Sequence, residues 1–139
     1  MNVTITEEQY QQIEQAVADA LVGKGNSEQP ENCYGMRNDV CLVGKPKRPG
    51  EMMMFSVFPL LADEKGITGW RLWAYWRDYV VKGNGQQFLR KWSNGVACDS
   101  IPPGGMVRSA VDALIENSND ASDNYSDEHL IPVDTKVPA

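Results

Sequence analysis

The sequence predicts an α+β domain: an antiparallel sheet of four to five strands in a meander, with an N-terminal and a C-terminal helix packed on one face. Helical periodicity is clearest in two places, residues 6–22 and 106–116; residues 70–81 could also be read as a helix with Leu72, Trp76 and Tyr79 on one side, but a strand is better supported. The chain between them is rich in Trp, Tyr, Phe, Val and Met, the residues that suit a pleated surface. Asn84-Gly85 and Asn94-Gly95 punctuate that region with hairpin turn signals one strand-length apart.

Taken in order, residues 6–22 form the first helix. Thr6 and Gln9 stand in capping-box spacing, and Glu7 and Glu8 suit the positive end of the helix dipole. Tyr10, Ile13, Val17, Ala20 and Leu21 make the apolar stripe, and Gly23 stops the helix. Residues 23–35 read as a polar connection. A short strand is expected over Asn38–Val43, then the Pro-broken basic loop 44–50, then a buried strand in residues 51–61. Strands are expected at 70–82, 86–93 and 96–99. After Pro102-Pro-Gly-Gly105, a second helix runs from Met106 to Glu116 on Val107, Ala110, Val111 and Leu114, with Arg108 and Asp112 as an i,i+4 pair. Residues 1–117 are thus expected as one globular domain. Residues 118–139 are polar and acidic enough to read as a mobile tail, in which Leu130–Val133 could dock as a short apolar anchor.

The net charge of −6 hides an uneven distribution. Residues 1–31 carry six acids and one base, residues 32–93 ten bases and five acids, and residues 117–139 five acids and one base. Such asymmetry bears on partners, not on fold. No apolar run approaches the ~18 residues of a membrane span, and the N-terminus has neither a basic start nor an apolar run. The reading is a cytoplasmic chain, in the host cell's cytoplasm if phage-encoded. Cys33, Cys41 and Cys98 are odd in number and widely spaced, which fits reduced, buried thiols, although one Cys33–Cys41 bridge across a hairpin stays open.

Motifs for chemistry are wanting. His129 is the single histidine and falls in the expected tail, so triad catalysis lacks a rigid imidazole. The cysteines match no zinc spacing, so no metal is assigned. Gly23-Lys-Gly25, Gly44-Lys45 and Lys82-Gly-Asn-Gly85 lack the phosphate-loop spacing. The acid pairs Glu7/Glu8 and Asp63/Glu64 read as solvated surface. The expectation is a protein that is not an enzyme and takes no cofactor.

One stretch stands out. Residues 69–81 hold Trp70, Trp73 and Trp76 of the chain's four tryptophans, with Tyr75, Tyr79, Arg71 and Arg77 threaded between them. A two-residue turn at Asn84-Gly85 would set Val81 opposite Phe88, Tyr79 opposite Arg90, Asp78 opposite Lys91 and Arg77 opposite Trp92. Side chains alternate, so Trp70, Leu72, Ala74, Trp76, Val80 and Leu89 form a core face. The other face would then gather Arg71, Trp73, Tyr75, Arg77, Tyr79, Val81, Phe88, Arg90 and Trp92. Cation–π pairs there could simply stiffen a wet sheet, or helices could cover the face while the guanidinium heads reach water.

As a site, the candidate partner-binding residues are Arg71, Trp73, Tyr75, Arg77, Tyr79, Phe88, Arg90 and Trp92, with Lys45, Lys47 and Arg48 of the basic loop. Trp, Tyr and Arg are enriched at interface hot spots, so protein binding is the first expectation, with homodimerisation as one version. The alternative is a nucleic-acid or nucleotide module that stacks bases on the same aromatics. Motif-poor acidic α+β chains of this size are common among inhibitors, immunity proteins and chaperone-type accessory proteins. Counter-defence proteins of phages and other mobile elements belong to that class.

Overall fold

The computed structural model describes residues 2–28, 36–42, 52–61, 66–99, 101 and 103–133. Helix α1 (Glu7–Leu21) is followed by strands β1 (Ser27–Glu28), β2 (Met36–Cys41), β3 (Met52–Leu61), β4 (Ile67–Val81) and β5 (Gln87–Cys98), helix α2 (Met106–Asp123) and strand β6 (Ile131–Pro132). The strands make one antiparallel sheet in sequence order, β1 to β6. The α+β meander with its two terminal helices is therefore the architecture.

Both helices lie on one face of the sheet. Ile13, Val17 and Ala20 of α1 and Val107, Val111 and Leu114 of α2 close over Met53, Phe55, Val57, Trp70, Leu72, Ala74 and Trp76. Those strand positions alternate, as a half-buried strand requires. The capping box forms as its spacing predicts: Thr6 Oγ1 accepts the Gln9 N–H and Gln9 Oε1 accepts the Thr6 N–H. Such a cap stabilises a helix start by about 1 kcal/mol.

The β4–β5 register differs from the expected one by one residue. Val81 faces Gln87, Val80 faces Phe88, Asp78 faces Arg90, Arg77 faces Lys91 and Trp76 faces Trp92. The cause is the turn. Lys82 N–H donates to Gln86 O and Gly85 N–H donates to Lys82 O, so the loop has three residues, with Gly85 at φ +82°. Gly83 is not in the left-handed region, so this is a type I turn closed by a left-handed glycine, not a two-residue turn. One extra loop residue moves every β5 side chain to the opposite face.

A second difference lies at Asn94-Gly95, which is not a turn. β5 runs unbroken to Cys98, with Gly95 opposite Trp73 and Asn94 opposite Ala74. The third concerns the C-terminus. α2 continues beyond Glu116 to Asp123, and residues 118–133, expected as part of a mobile tail, form helix, a single 3-10 turn at Asp127–His129 and β6. Polar residues there have distant partners. Asn119 receives the Val3 N–H and donates to Val3 O, and Ser122 receives Arg90. Leu130–Val133 does dock, because Ile131 and Pro132 pair with Leu89 and Phe88. β1 falls in the stretch expected as mere connection.

Candidate functional site

The sheet face turned away from the helices is the candidate site. β4 sends Arg71, Trp73, Tyr75, Arg77 and Tyr79 to it, while their neighbours Trp70, Leu72, Ala74 and Trp76 are fully buried under the helices. The register adds Met54, Ser56 and Phe58 of β3 on one side and Leu89, Lys91, Ser93, Gly95 and Ala97 of β5 on the other. Among the described residues, no element packs across this face. Among the described residues of the strands its cations are Arg37, Arg71, Arg77 and Lys91, and its acid is Asp39. That carboxylate already accepts Ser56 Oγ at 2.6 Å, Ser27 Oγ at 2.8 Å and Arg37 Nε at 3.2 Å. The described part of the face is therefore basic. The helix layer carries the opposite sign: Glu8, Glu14, Asp19, Asp112, Glu116, Asp120 and Asp123 all lie on α1 or α2.

At its centre Trp73 lies flat. A Cβ built on Gly95 would stand 2.7 Å from both Cδ2 and Cε2 of the Trp73 indole and 3.1 Å from Cε3. The first two are the ring-fusion atoms. A point nearest to them cannot lie in the ring plane, where the peripheral atoms would come closer, so the indole faces Gly95 with its plane over the strand. Only glycine permits that approach. The opposite π-face of the indole is turned away from the sheet, and Ser93 and Ala97 on either side of Gly95 are small and exposed.

Three expected members of this face belong elsewhere. Phe88, Arg90 and Trp92 are on the helix side, as the three-residue loop dictates. Arg90 donates through Nε and Nη2 to the two oxygens of Asp78, at 2.8 and 2.7 Å, and through Nη1 to Ser122 O at 3.1 Å. Its guanidinium sits 5.1 Å from the Trp76 ring centre and 5.4 Å from that of Tyr125, and Trp92 stacks on Trp76. The hydrogen bonds to Asp78 hold the Arg90 guanidinium more firmly protonated than usual, against the opposing effect of burial. This arginine ties the sheet to the end of α2. Lys45, Lys47 and Arg48 lie outside the described residues.

Arg108 departs from its expected i,i+4 partner in the same way. It crosses to α1, gripping both oxygens of Glu7 and one of Glu14, while Asp112 accepts the Tyr10 hydroxyl. The hydrogen bond from Arg108 holds the Glu7 carboxyl below the usual carboxylate range. The bond to Asp112, reinforced by burial, raises the Tyr10 hydroxyl above its ordinary value.

The remaining reactive groups are scattered. Cys98 is buried, and loss of water together with nearby Asp99 raises its thiol pKa, whereas Cys41 is exposed. Cys33, Asp63 and Glu64 lie outside the described residues. His129 sits in the 3-10 turn with its ring edge-on to Tyr125. Among the described residues, no His, Cys, Asp or Glu side chains gather as a metal-binding group, and no helix is long and apolar enough to cross a membrane. Gly95, expected at a turn, instead seats the Trp73 ring; an Asn-Gly pair in the chain fits either place, and only the β4–β5 register separates them. Compared with protein-family models, curated proteins and solved structures, the chain finds no match.

Proposed function

We propose that this protein works without catalysis, by gripping another protein through the basic, aromatic face of its sheet. It would then act as an inhibitor, immunity or chaperone-type accessory protein in the cytoplasm. Counter-defence proteins carried by phages are one such group. The observation that carries this reading is the row Arg71, Trp73, Tyr75, Arg77 and Tyr79, presented by a strand whose other side is locked into the core. A rigid backbone holding Trp, Tyr and Arg outward needs little ordering on binding, so most of the contact energy remains available. An isologous homodimer through this face is disfavoured, because it would bring the same basic patch, with Arg71 and Lys91, from both copies together.

Nucleic-acid binding is the second reading, favoured by one specific feature. The outward face of the half-buried Trp73 indole would serve as a stacking platform of the kind single strands use, and the acidic helices lie on the far side of the sheet. The test is capture of partners from the source cells by wild-type protein and by Arg71→Glu/Lys91→Glu, two exposed positions. A protein recovered by the wild type and lost with the charge reversal supports the first reading. Recovery of nucleic acid alone, released by moderate salt, replaces it with the second.

A further inference from the structure

β5 has an open edge beside the Trp73 platform. Because Lys82 and Gln86 form a hydrogen-bonded pair, the even-numbered residues of β5 bond to β4 and the odd-numbered ones aim their N–H and C=O outward. Gln87 and Leu89 are covered there by β6, with Val133 N–H on Gln87 O. At Lys91 the Tyr125 hydroxyl lies 3.4 Å from both N and O. Beyond it the outward groups of Ser93 and Ala97, and the Gly95 carbonyl, meet no other strand among the described residues. The Gly95 N–H turns to its neighbour, Asn94 Oδ1, at 2.7 Å.

The opposite edge is treated differently. On β2, Arg37 O receives Asn26 N–H, and the Asn26 side-chain amide imitates a peptide, receiving Asp39 N–H at 2.8 Å and donating to Asp39 O at 2.9 Å. Edges left bare invite added strands, and proteins blunt them with charges, prolines or covers. The stretch Ser93-Asn-Gly-Val-Ala97 carries no lysine and no proline.

We propose that Ser93–Ala97 is a docking edge for one extended segment of an acidic partner protein, added antiparallel to β5; the proposal rests on the protein-binding reading above. Backbone bonds to Ser93 and Ala97 hold the segment. Its alternate side chains fall on the basic face, where the small row Ser93, Gly95, Ala97 leaves space above β5. A side chain level with Gly95 covers the indole of Trp73. Acids two residues to one side and four to the other come level with Arg71, which pairs with Ala97, and with Lys91. The charge of the face selects the occupant. A second copy joined edge to edge would place two acidic α2 helices side by side, since α2 packs on β5. An oligonucleotide offers no donor–acceptor ladder at strand spacing.

The test is titration of the isotope-labelled full chain with the capped peptide Glu-Thr-Phe-Val-Thr-Thr-Glu, and with its counterpart carrying Lys for Glu. Expected are slowed exchange of the Ser93 and Ala97 amides, a shifted Trp73 indole signal, and at least about tenfold weaker binding of the Lys peptide. Ala97→Pro removes one outward N–H without touching the β4–β5 ladder, and should weaken binding about tenfold or more. Ser93→Pro serves the same purpose should Ala97→Pro fail to fold. Binding that shifts face residues but ignores both prolines overturns the edge and leaves the face reading standing. No binding at millimolar peptide also overturns it, as does a self-association abolished by Ala97→Pro, which would make a second copy the occupant. Loss of binding on Arg71→Glu with the prolines silent separates the two ideas in the same way.

Discussion

Removing the Asp78 carboxylate should be far more costly than a surface ion pair would imply. Both side chains of the Asp78–Arg90 pair are 16% exposed, and the pair is bidentate at 2.8 and 2.7 Å. Asp78→Ala leaves a guanidinium wedged between Trp76 and Tyr125 with Ser122 as its remaining neutral partner. Stranding one half of a buried pair costs about 3–5 kcal/mol, and the residual exposure brings the expectation to about 2–3 kcal/mol. For a domain of this size that lowers Tm by about 6–12 °C.

Urea denaturation of Asp78→Ala, Arg90→Leu and the Asp78→Leu/Arg90→Leu double variant measures this. The double variant should be less destabilised than Asp78→Ala, because it removes the stranded charge along with its partner. In the register of a two-residue turn, Asp78 would stand opposite Lys91 and Arg90 would be on the open face. Exposed pairs of that kind contribute about 0.2–1 kcal/mol. A loss below about 1 kcal/mol for Asp78→Ala would therefore refute the pairing and the three-residue loop with it.

Other expectations are briefer. Gly95→Ala places a Cβ 2.7 Å from the Trp73 ring, so the indole must lift off β5; a shifted tryptophan emission with a cost of about 1 kcal/mol is expected, and an unchanged spectrum would show that the ring lies elsewhere. Ser118 Oγ is buried and finds no hydrogen-bond partner among the described residues, so Ser118→Ala should be neutral or stabilising by up to about 1 kcal/mol in thermal melts; clear destabilisation would refute this. The Tyr10 hydroxyl has its pKa raised above an ordinary value of about 10, so its bond to Asp112 stabilises fully below that pH and is lost as pH rises through the folded-state value. Stability should fall on the alkaline side, less steeply in Tyr10→Phe. The Glu7–Arg108 contact has the reverse sign, with a lowered carboxyl pKa and stability lost as pH falls from about 4.5, an acid limb that Glu7→Gln should flatten.

How much of this was legible in the sequence depended on how local the signal was. The alternation along β4 is local, so Trp70, Leu72 and Trp76 could be assigned to the core and Arg71, Trp73 and Tyr75 to the outside without any knowledge of neighbours. The β5 faces were not local. Gly83-Asn84-Gly85 suits either a two-residue turn or a three-residue turn with Gly85 left-handed, and the choice rests on contacts across the hairpin. Trp92 against Trp76 and Arg90 against Asp78 favour the longer loop. Gly95 was misread for a related reason: after Asn it is a turn signal, but opposite a tryptophan it is a seat for a ring. The end of α2 looked too polar to pack because Asn119, Ser122 and Tyr125 find their partners in Val3, Arg90 and Lys91, far away in the chain.

The charge pattern gains its meaning only from the fold. As a string, the chain is a basic middle between acidic ends, and the acidic ends argue against any negatively charged partner. Folding places both acidic helices on one side of the sheet and the arginines of β4 on the other. The acids of α1 and α2 face solvent on the far side of the sheet, where physiological salt screens them over about 8 Å. A ligand at the sheet face would therefore meet Arg71 and Lys91 first, whereas the pI of 4.7 averages over the whole chain. The same segregation gives an approaching acidic partner one orientation in which the field attracts and another in which it repels. On the proposed reading, selection of the correct side would begin before contact, and the aromatic row with the open β5 edge would decide what is held afterwards.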